Sequence, residues 1–314
     1  MSLLEKPNLL SLLILGGVVL IAGGYGVLTY TQSPDLEHFQ VDPDYDFLYN
    51  FDSPNDVIRL PEELDEISGL APWFDNEHIL AVQDEDGKVY VVSTRTGQIV
   101  QSFRFDEDKD YEGIARKDST IYVLEQDGDI RYFNYRPGVD EFAAEKIETD
   151  FSYRNDTEGI TYDERTNSLL IVPKEDELNP SGEEDYRHGI YAYSLDDNTL
   201  AAQPAFYIDE FEIGEAIYGK TSRYKFKPSG LSVDPVTGDI YVIASVGKLM
   251  VVIDRESEIK HIEVLRENIF RQPEGLEFSA AGDLYISSEA KGKQAVLARY
   301  SRRQLEQAKN EQDE

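Results

Sequence analysis

The sequence reads DEISGLA at residues 65–71, and the same pattern of a polar or acidic stretch, a glycine and an aliphatic residue returns four times. The glycines, at positions 69, 113, 159, 230 and 275, are 44, 46, 71 and 45 residues apart. A period near 45 residues with several strands in each unit is typical of the blades of a β-propeller. The later copies are DYEGIAR (110–116), DTEGITY (156–162), KPSGLSV (227–233) and QPEGLEF (272–278).

The residues between the copies have the pattern of paired strands. Asp86-Gly87, Asp127-Gly128 and Val246-Gly247 stand between alternating apolar residues, as expected of the turns of β-hairpins. No long amphipathic helical pattern occurs, which argues against an α/β fold. The sequence therefore predicts an all-β fold, a five-bladed β-propeller over residues 44–303, followed by a polar tail at residues 304–314.

The interval between the third and fourth glycines is 26 residues longer than the 45-residue period and too short for two blades. We predict one blade with two insertions, an acidic loop at residues 174–189 and a second stretch around residues 211–227. A six-bladed propeller is the alternative, in which the interval hides a degenerate unit. The strand-like segment at residues 45–60 precedes the first copy, and we expect it to join the last blade after Tyr300. This pairing would close the ring and remove a free sheet edge.

The composition excludes several classes of function. Of 314 residues, 62 are Asp or Glu and 30 are Lys or Arg, so the formal net charge is −32. Such a surface repels nucleic acids and anionic lipid headgroups, and we predict no nucleic-acid partner. The chain has no cysteine, which excludes disulfides, thiolate zinc sites and a cysteine nucleophile. Its hydrophobic residues, 40% of the total, are sufficient for a sizeable core.

The N-terminal region predicts a membrane anchor. Residues 9–30 carry no charge, and as a helix they would be about 33 Å long, enough to cross a bilayer. One lysine precedes this run and no Lys or Arg follows until Arg59, so the positive-inside rule leaves residues 1–8 in the cytoplasm. We therefore predict a single-pass signal anchor in the inner (cell) membrane, a linker at residues 31–43 and a propeller on the periplasmic side. A cleaved signal peptide is the alternative, although the run is long for one and no clear A-x-A site follows.

The repeated motifs resemble those of the SdiA-regulated family of bacterial envelope proteins. The resemblance extends over about residues 44–303. It implies an N-terminal membrane segment and a five-bladed propeller distantly related to NHL-repeat propellers. It also implies a calcium site in the propeller, and it implies no established biochemical activity. The motifs that carry it are EISGLA (66–71), EGIA (112–115), EGITYD (158–163), PSGLSVDPVTGDIYV (228–242) and PEGLEFSAAGDLYISSE (273–289).

Acidic residues beside the repeat glycines are the candidate metal ligands. Glu112, Glu158 and Glu274 stand directly before a glycine, and Glu66 stands three residues before Gly69. These two positions have the same parity in a strand, so we expect them to point to one face and surround one mouth of the channel. Converging carboxylates repel one another unless a cation bridges them, and hard oxygen ligands suit Ca²⁺. The four glutamates therefore predict a calcium site; in the alternative, they accept hydrogen bonds from backbone N–H groups of the next blade and bind no metal.

A second set of polar residues ends the second strand of four blades: Asp84, Glu125, Lys174 and Glu289. We expect these residues to form the rim of the same mouth and to hold a ligand. The alternative is that they are solvated loop positions without a function.

Residues 214–221, GEAIYGKT, match the phosphate-binding motif G-x-x-x-x-G-K-[ST]. Such a loop requires a strand before it and a helix after it. Pro228 follows eight residues after Lys220 and leaves little room for that helix, so we predict no nucleotide site. The sequence also has no G-x-S-x-G elbow and no pair of histidines at metal-binding spacing.

These observations predict a membrane-anchored, calcium-binding propeller that acts as a binding module for an envelope protein or a small ligand. The alternative is a calcium-dependent hydrolase of phosphoesters or lactones, in which a channel calcium polarises a substrate oxygen. The absence of histidine beside the glutamate motifs disfavours the hydrolase, although a carboxylate can also serve as a base.

Overall fold

Five antiparallel β-sheets, arranged as the blades of a propeller, make up the described part of the chain. The computed structural model of the protein describes residues 38–179 and 186–303. The predicted anchor at residues 9–30, the start of the linker and the tail at residues 304–314 lie outside these ranges. Among the helices of the described ranges, none is long and apolar enough to span a bilayer.

The strands of each blade follow one another along the chain as an antiparallel meander. Before the first blade come β1 (His38–Gln40), β2 (Asp56–Arg59) and a 3-10 helix (Glu62–Leu64). Blade 1 contains β3 (Ile67–Pro72), β4 (His78–Gln83), β5 (Lys88–Ser93) and β6 (Ile99–Arg104), and blade 2 contains β7 (Tyr111–Lys117), β8 (Thr120–Glu125), β9 (Ile130–Asn134) and β10 (Glu145–Ile147). Blade 3 contains β11 (Thr157–Asp163), β12 (Ser168–Pro173), β13 (Arg187–Ser194), β14 (Thr199–Leu200) and β15 (Phe206–Asp209), followed by helix α1 (Glu210–Tyr218). Blade 4 contains β16 (Lys227–Val233), β17 (Ile240–Val246), β18 (Leu249–Ile253) and β19 (Ile259–Val264), and blade 5 contains β20 (Pro273–Phe278), β21 (Leu284–Ser288) and β22 (Val296–Tyr300).

Strands that precede the first blade complete the last two blades. β2 pairs with β22, with Val57 opposite Ala298, and becomes the outer strand of blade 5. The five-bladed prediction is therefore confirmed, and the segment predicted to close the ring does so. β1 pairs with β19, with Phe39 opposite Ile262, and adds a fifth strand to blade 4 that the sequence did not predict.

The segment between β1 and β2 is anchored by aromatic side chains. Phe47, Tyr49 and Phe51 are buried in one cluster with residues of blades 4 and 5. The ring of Phe51 stacks on that of Tyr300, with 4.1 Å between centroids. The hydroxyl of Tyr49 donates to the carbonyl of Gly282 at 2.7 Å. These contacts hold the closing strand to the two blades that it joins.

The repeat glycines allow the inner strands to approach one another. The inner strands, β3, β7, β11, β16 and β20, contact their neighbours in a closed ring. A Cβ atom added to Gly69 would lie 2.7 Å from the Cα atom of Gly113, and one added to Gly230 would lie 2.1 Å from the carbonyl oxygen of Glu274. Because no side chain fits in these positions, the glycine of one blade is required by the backbone of the next.

Both predicted insertions belong to the part of the chain that follows β12 of blade 3, and residues 180–185 of the acidic loop lie outside the described ranges. β15 pairs with the first half of β13, and α1 follows it directly. The Asp209 carboxylate caps the helix by accepting from the N–H of Phe211 at 2.7 Å, and Gly219 ends it in the left-handed region at φ 64°. Residues 214–218 of the phosphate-motif match therefore lie inside this helix, whereas a phosphate-binding loop precedes the N-terminus of its helix. A nine-residue helix was not predicted, because so short a segment gives a weak periodic signal.

Glu210 fixes this helix to the propeller. Its buried carboxylate accepts from the N–H of Phe226 at 2.8 Å and pairs with the side chains of Arg223 and His188. Burial disfavours the ionised form, but these three donors outweigh it and lower the pKa of Glu210 to about 2. The second insertion is thus held by a buried, ionised glutamate.

Candidate metal centre

Each inner strand has an irregularity at its repeat glycine. In the pairing of β3 with β4 the register shifts between Ile67 and Gly69, so Ser68 has no partner residue in β4. The pairing of β7 with β8 shifts in the same way between Tyr111 and Gly113. The other three inner strands have register shifts at the same position. The residue before the glycine is therefore bulged out of the ladder, and the simple alternation of faces does not apply across it. The bulged residues are Ser68, Glu112, Glu158, Ser229 and Glu274 or its neighbour.

Three of these bulges place glutamates near one mouth of the channel. Glu158 and Glu274 are buried and Glu112 is half-buried. The Oε1 atom of Glu158 pairs with the ammonium of Lys174, which follows β12. The Oε2 atom of Glu274 is buried and has no hydrogen-bond partner among the described residues. Since buried carboxylate oxygens are normally paired, this atom marks a place for a cation or a donor.

Two residues of the predicted rim lie beside these glutamates. Glu289 accepts from the amide of Gln272 at 2.8 Å, and Lys291 lies 2.7 Å from its other oxygen. Asp84 has a buried Oδ1 atom without a partner in the described ranges. Glu66 is exposed, and its charge acts on Asp84 at the outer edge of the group. The mouth thus combines carboxylates from blades 1, 2, 3 and 5.

The protonation of these groups reflects their mutual repulsion. Burial, followed by the charges of Glu66 and Glu289, raises the pKa of Asp84 to about 7. Burial and the charge of Glu158 raise the pKa of Glu112, while burial, Glu158 and Glu289 raise that of Glu274. A carboxylate whose pKa is raised in this way is short of positive charge.

Lys174 supplies part of that charge. Burial opposes its ionisation, but Glu158, Glu274 and Asp156 together raise the pKa of its ammonium. The carboxylate of Asp156 lies 4.0 Å from the ammonium and accepts from the amide of Gln126 at 2.9 Å. Asp156 stands three residues before Gly159, at the position where blade 1 has Glu66, so the repeat pattern carried the signal for it.

Glu125 is the predicted rim residue that lies elsewhere. Its carboxylate pairs with Arg131 and lies 3.3 Å from the ammonium of Lys109. Glu125, Asp127 and Asp129 bring carboxylate oxygens within 4.8 Å of one another. However, Arg131 already neutralises Glu125, and Lys146 pairs with Asp129. This second acidic group is therefore compensated by resident cations.

The serines of blades 1 and 4 leave the centre asymmetric. The hydroxyl of Ser229 donates to the carbonyl of Pro273 at 2.6 Å, and that of Ser68 donates to the carbonyl of Glu66 at 3.2 Å. Both hydroxyls thus donate to backbone carbonyls of the inner strands or of the residues beside them. The mouth offers hard carboxylate oxygens, the ligand type that Ca²⁺ takes, and two of them are buried without a partner among the described residues. Within the described ranges, however, only Glu125, Asp127 and Asp129 bring three such oxygens within 4.8 Å of one another.

Comparisons with known proteins agree with the fold. Residues 54–184 match the family model described as SdiA-regulated, which confirms the resemblance found in the repeated motifs. A glutaminyl cyclase from Myxococcus xanthus is similar in structure, with 13% identity, a TM-score of 0.52, and coverage of 79% of this chain and 95% of that chain. A luciferin-regenerating enzyme also matches, with 13% identity, a TM-score of 0.48 and coverage of 79% and 95%. At these identities the likeness to the cyclase concerns the fold alone. No curated protein matches the sequence.

Proposed function

We propose, from the match of residues 54–184 to the SdiA-regulated family model, that the chain is a calcium-binding β-propeller that serves as a binding module of the bacterial cell envelope. Residues 9–30 would anchor it in the inner membrane with the propeller on the periplasmic side, as the charge distribution predicts. The partner would be an envelope protein or a small ligand that meets the propeller near the channel mouth.

The calcium proposal depends on the buried Oε2 atom of Glu274, which has no hydrogen-bond partner in the part of the chain that the structure describes. It belongs to a group of carboxylates with Lys174 as the ammonium paired to Glu158. Glu112, Glu158 and Glu274 would move together to hold the ion, since among the described residues their oxygens do not form a set within 4.8 Å. Asp84, Glu289 and the exposed Glu66 would complete or support the set. Calcium accepts 6–8 oxygens with flexible geometry, whereas magnesium needs near-octahedral ligands and releases water reluctantly.

Calcium in this position would stabilise the propeller. The ligands come from the inner strands of different blades, so an ion that binds only the folded state would couple those blades. At about 100 times its Kd, such an ion adds about 2.7 kcal/mol to the free energy of unfolding.

A thermal melt of the purified chain with calcium, magnesium or a chelator tests this proposal. We expect calcium to raise Tm by several degrees, magnesium to raise it much less, and Glu274→Gln or Glu112→Gln to abolish the rise. Glu164→Gln is the matched control, because Glu164 follows β11, is exposed and belongs to neither acidic group, so its calcium response should equal that of the unmodified protein. An equal Tm in all three conditions would contradict the proposal and assign the glutamates a purely structural role.

The hydrolase alternative would place a base beside the same ion. The groups available at the mouth are carboxylates and Lys174, whose ammonium is paired with Glu158. Screening calcium-loaded protein against phosphoesters and lactones tests it: turnover abolished by Glu158→Gln would establish hydrolysis, and a blank panel would leave the binding module.

A further inference from the structure

A cavity of about 370 Å³ lies at the other mouth of the channel, opposite the candidate metal centre. Residues from the C-terminal ends of all five inner strands line it, from Pro72 of β3 to Phe278 of β20. Glu277 lies there, three residues along β20 from Glu274, a spacing of about 10 Å in a strand. This cavity was not predicted from the sequence, since the polar residues considered there lie at the other ends of the inner strands.

Aromatic side chains form much of the wall. Trp73, Phe74, Tyr162 and Tyr285 all line the cavity, and Phe74 is exposed. Aromatic walls bury the apolar body of a small ligand, and their ring faces attract cations. A cavity of this size, whose wall combines aromatic rings with charged side chains, has the character of a small-molecule site.

One carboxylate in the cavity, that of Glu277, has no ion pair among the described residues. Glu277 is only 7% exposed, and its Oε1 atom accepts from the hydroxyl of Ser232 at 2.9 Å and from the N–H of Phe278 at 2.7 Å. Within residues 38–179 and 186–303, no hydrogen bond or ion pair to its Oε2 atom is found. The other buried carboxylates of the wall are compensated, because Asp163 pairs with Arg255 and Asp234 pairs with Arg302.

Arg116 is a cation whose charge acts on Glu277, but its N–H groups donate to backbone carbonyls. The guanidinium donates to the carbonyls of Pro72, Trp73 and Asp118 and lies 4.6 Å from the ring centroid of Phe74. Burial raises the pKa of Glu277 to about 7, although Phe278, Ser232 and Arg116 act in the opposite direction. Arg116 therefore compensates the carboxylate only in part, and an anionic ligand near Glu277 would meet a second buried negative charge.

We propose that this cavity binds a small organic amine, with the ammonium at Oε2 of Glu277 and an apolar or aromatic body against Trp73 and Tyr162. The amine would supply the positive charge that the buried carboxylate lacks. The site is independent of the proposed calcium centre, since it lies at the opposite ends of the inner strands.

Trp73 makes the test direct, because it is the only tryptophan of the chain and lies in the cavity wall. Phenethylammonium is titrated into the full chain while its fluorescence is followed, in calcium and again in chelator. We expect a saturable change with a Kd below about 1 mM in both conditions. Phenethyl alcohol and phenylacetate, the neutral and anionic counterparts, should bind at least tenfold more weakly.

Two variants locate the interaction. Glu277→Gln keeps the shape of the side chain and removes its charge, and it should weaken phenethylammonium binding at least tenfold. Glu164→Gln removes an exposed carboxylate at the same cavity and should change the Kd less than twofold. No saturable signal up to about 10 mM, equal binding of phenylacetate, or unchanged binding by Glu277→Gln would overturn the proposal. If Glu277→Gln does not fold, the comparison of the three charge forms on the unmodified protein decides alone.

Discussion

Replacing Lys174 by methionine removes the ammonium that pairs with Glu158 and retains a side chain of similar length. The two side chains are 22% and 7% exposed. Exposed ion pairs contribute about 0–1 kcal/mol to stability, and breaking a fully buried pair costs about 3–5 kcal/mol. A partly buried pair such as this one should have an intermediate effect. We therefore expect Lys174→Met to lower the free energy of unfolding by about 2–3 kcal/mol without metal, which lowers Tm by about 4–10 °C.

The same change should strengthen calcium binding. A unit charge on the order of 8 Å from a divalent ion opposes it by about 1 kcal/mol in water and about 4 kcal/mol at an effective dielectric constant of 20. Loss of the ammonium should therefore lower the Kd for calcium about tenfold or more, and saturating calcium should restore most of the lost stability. Calorimetric titration gives the Kd, and melts in chelator and in calcium give the two stabilities.

Lys291→Met is the matched control for this prediction. Lys291 also pairs with a carboxylate of the mouth, Glu289, but its side chain is 51% exposed, so its removal should cost less than about 1 kcal/mol. The reasoning would be refuted if Lys174→Met were as stable as the unmodified protein in chelator. It would equally be refuted if the variant bound calcium more weakly, because Lys174 would then support the metal rather than compete with it.

Three further predictions concern the fold. Gly230→Ala places a Cβ atom 2.1 Å from the backbone oxygen of Glu274, so it should lower the free energy of unfolding by more than about 3 kcal/mol, measured in urea. Gly138→Ala is the control: its Cβ atom meets no atom within 4 Å, and its positive φ should cost about 1 kcal/mol. Equal losses would argue against close approach of the inner strands. Glu210→Gln should have a free energy of unfolding about 2 kcal/mol below that of the unmodified protein at neutral pH. Because the pKa of Glu210 in the folded protein lies below its usual 4.5, this difference in stability should shrink as pH falls from 4.5 toward 2. A difference that stays constant with pH would contradict an ionised Glu210. A chain that begins at Leu60 lacks β1 and β2 and exposes the edges of β19 and β22, so it should associate in size-exclusion chromatography, and a monomer as stable as the parent would show that closure contributes little.

The blade count followed from the sequence because the repeat glycine allows close approach in every blade, against the backbone of the next blade in four and against the side chains of Ser287 and Leu70 at Gly275. The backbone of the next blade lies against Gly69 and Gly230, so the residue type recurs with the period of the blades. The closing strand was predictable for a related reason, since the open edge of β22 needs a partner and an unassigned strand remained.

The details of the candidate centre were less accessible. Glutamates at the repeat positions predicted an acidic mouth, and the structure brings Glu112, Glu158 and Glu274 to it. The alternation of side chains between the two faces of a strand does not reveal a bulge, and a bulge occurs at each repeat glycine. The orientation of these side chains therefore could not be predicted from their positions along the strand. Glu125 ends its strand like Asp84, but the neighbouring Arg131 attracts its carboxylate to another ion pair.

The order of the outer strands also determines how a mechanical load would reach the propeller. β1 and β2 are the outermost strands of adjacent blades, and β1 comes first after the predicted membrane anchor. Tension from residues before His38 would reach the three pairs between β1 and β19 first, then the buried ring of Phe47, and only afterwards the pairs between β2 and β22. The outer strands β1 and β2 would therefore detach one after the other under tension. The inner strands, which carry the channel carboxylates, would bear none of that force.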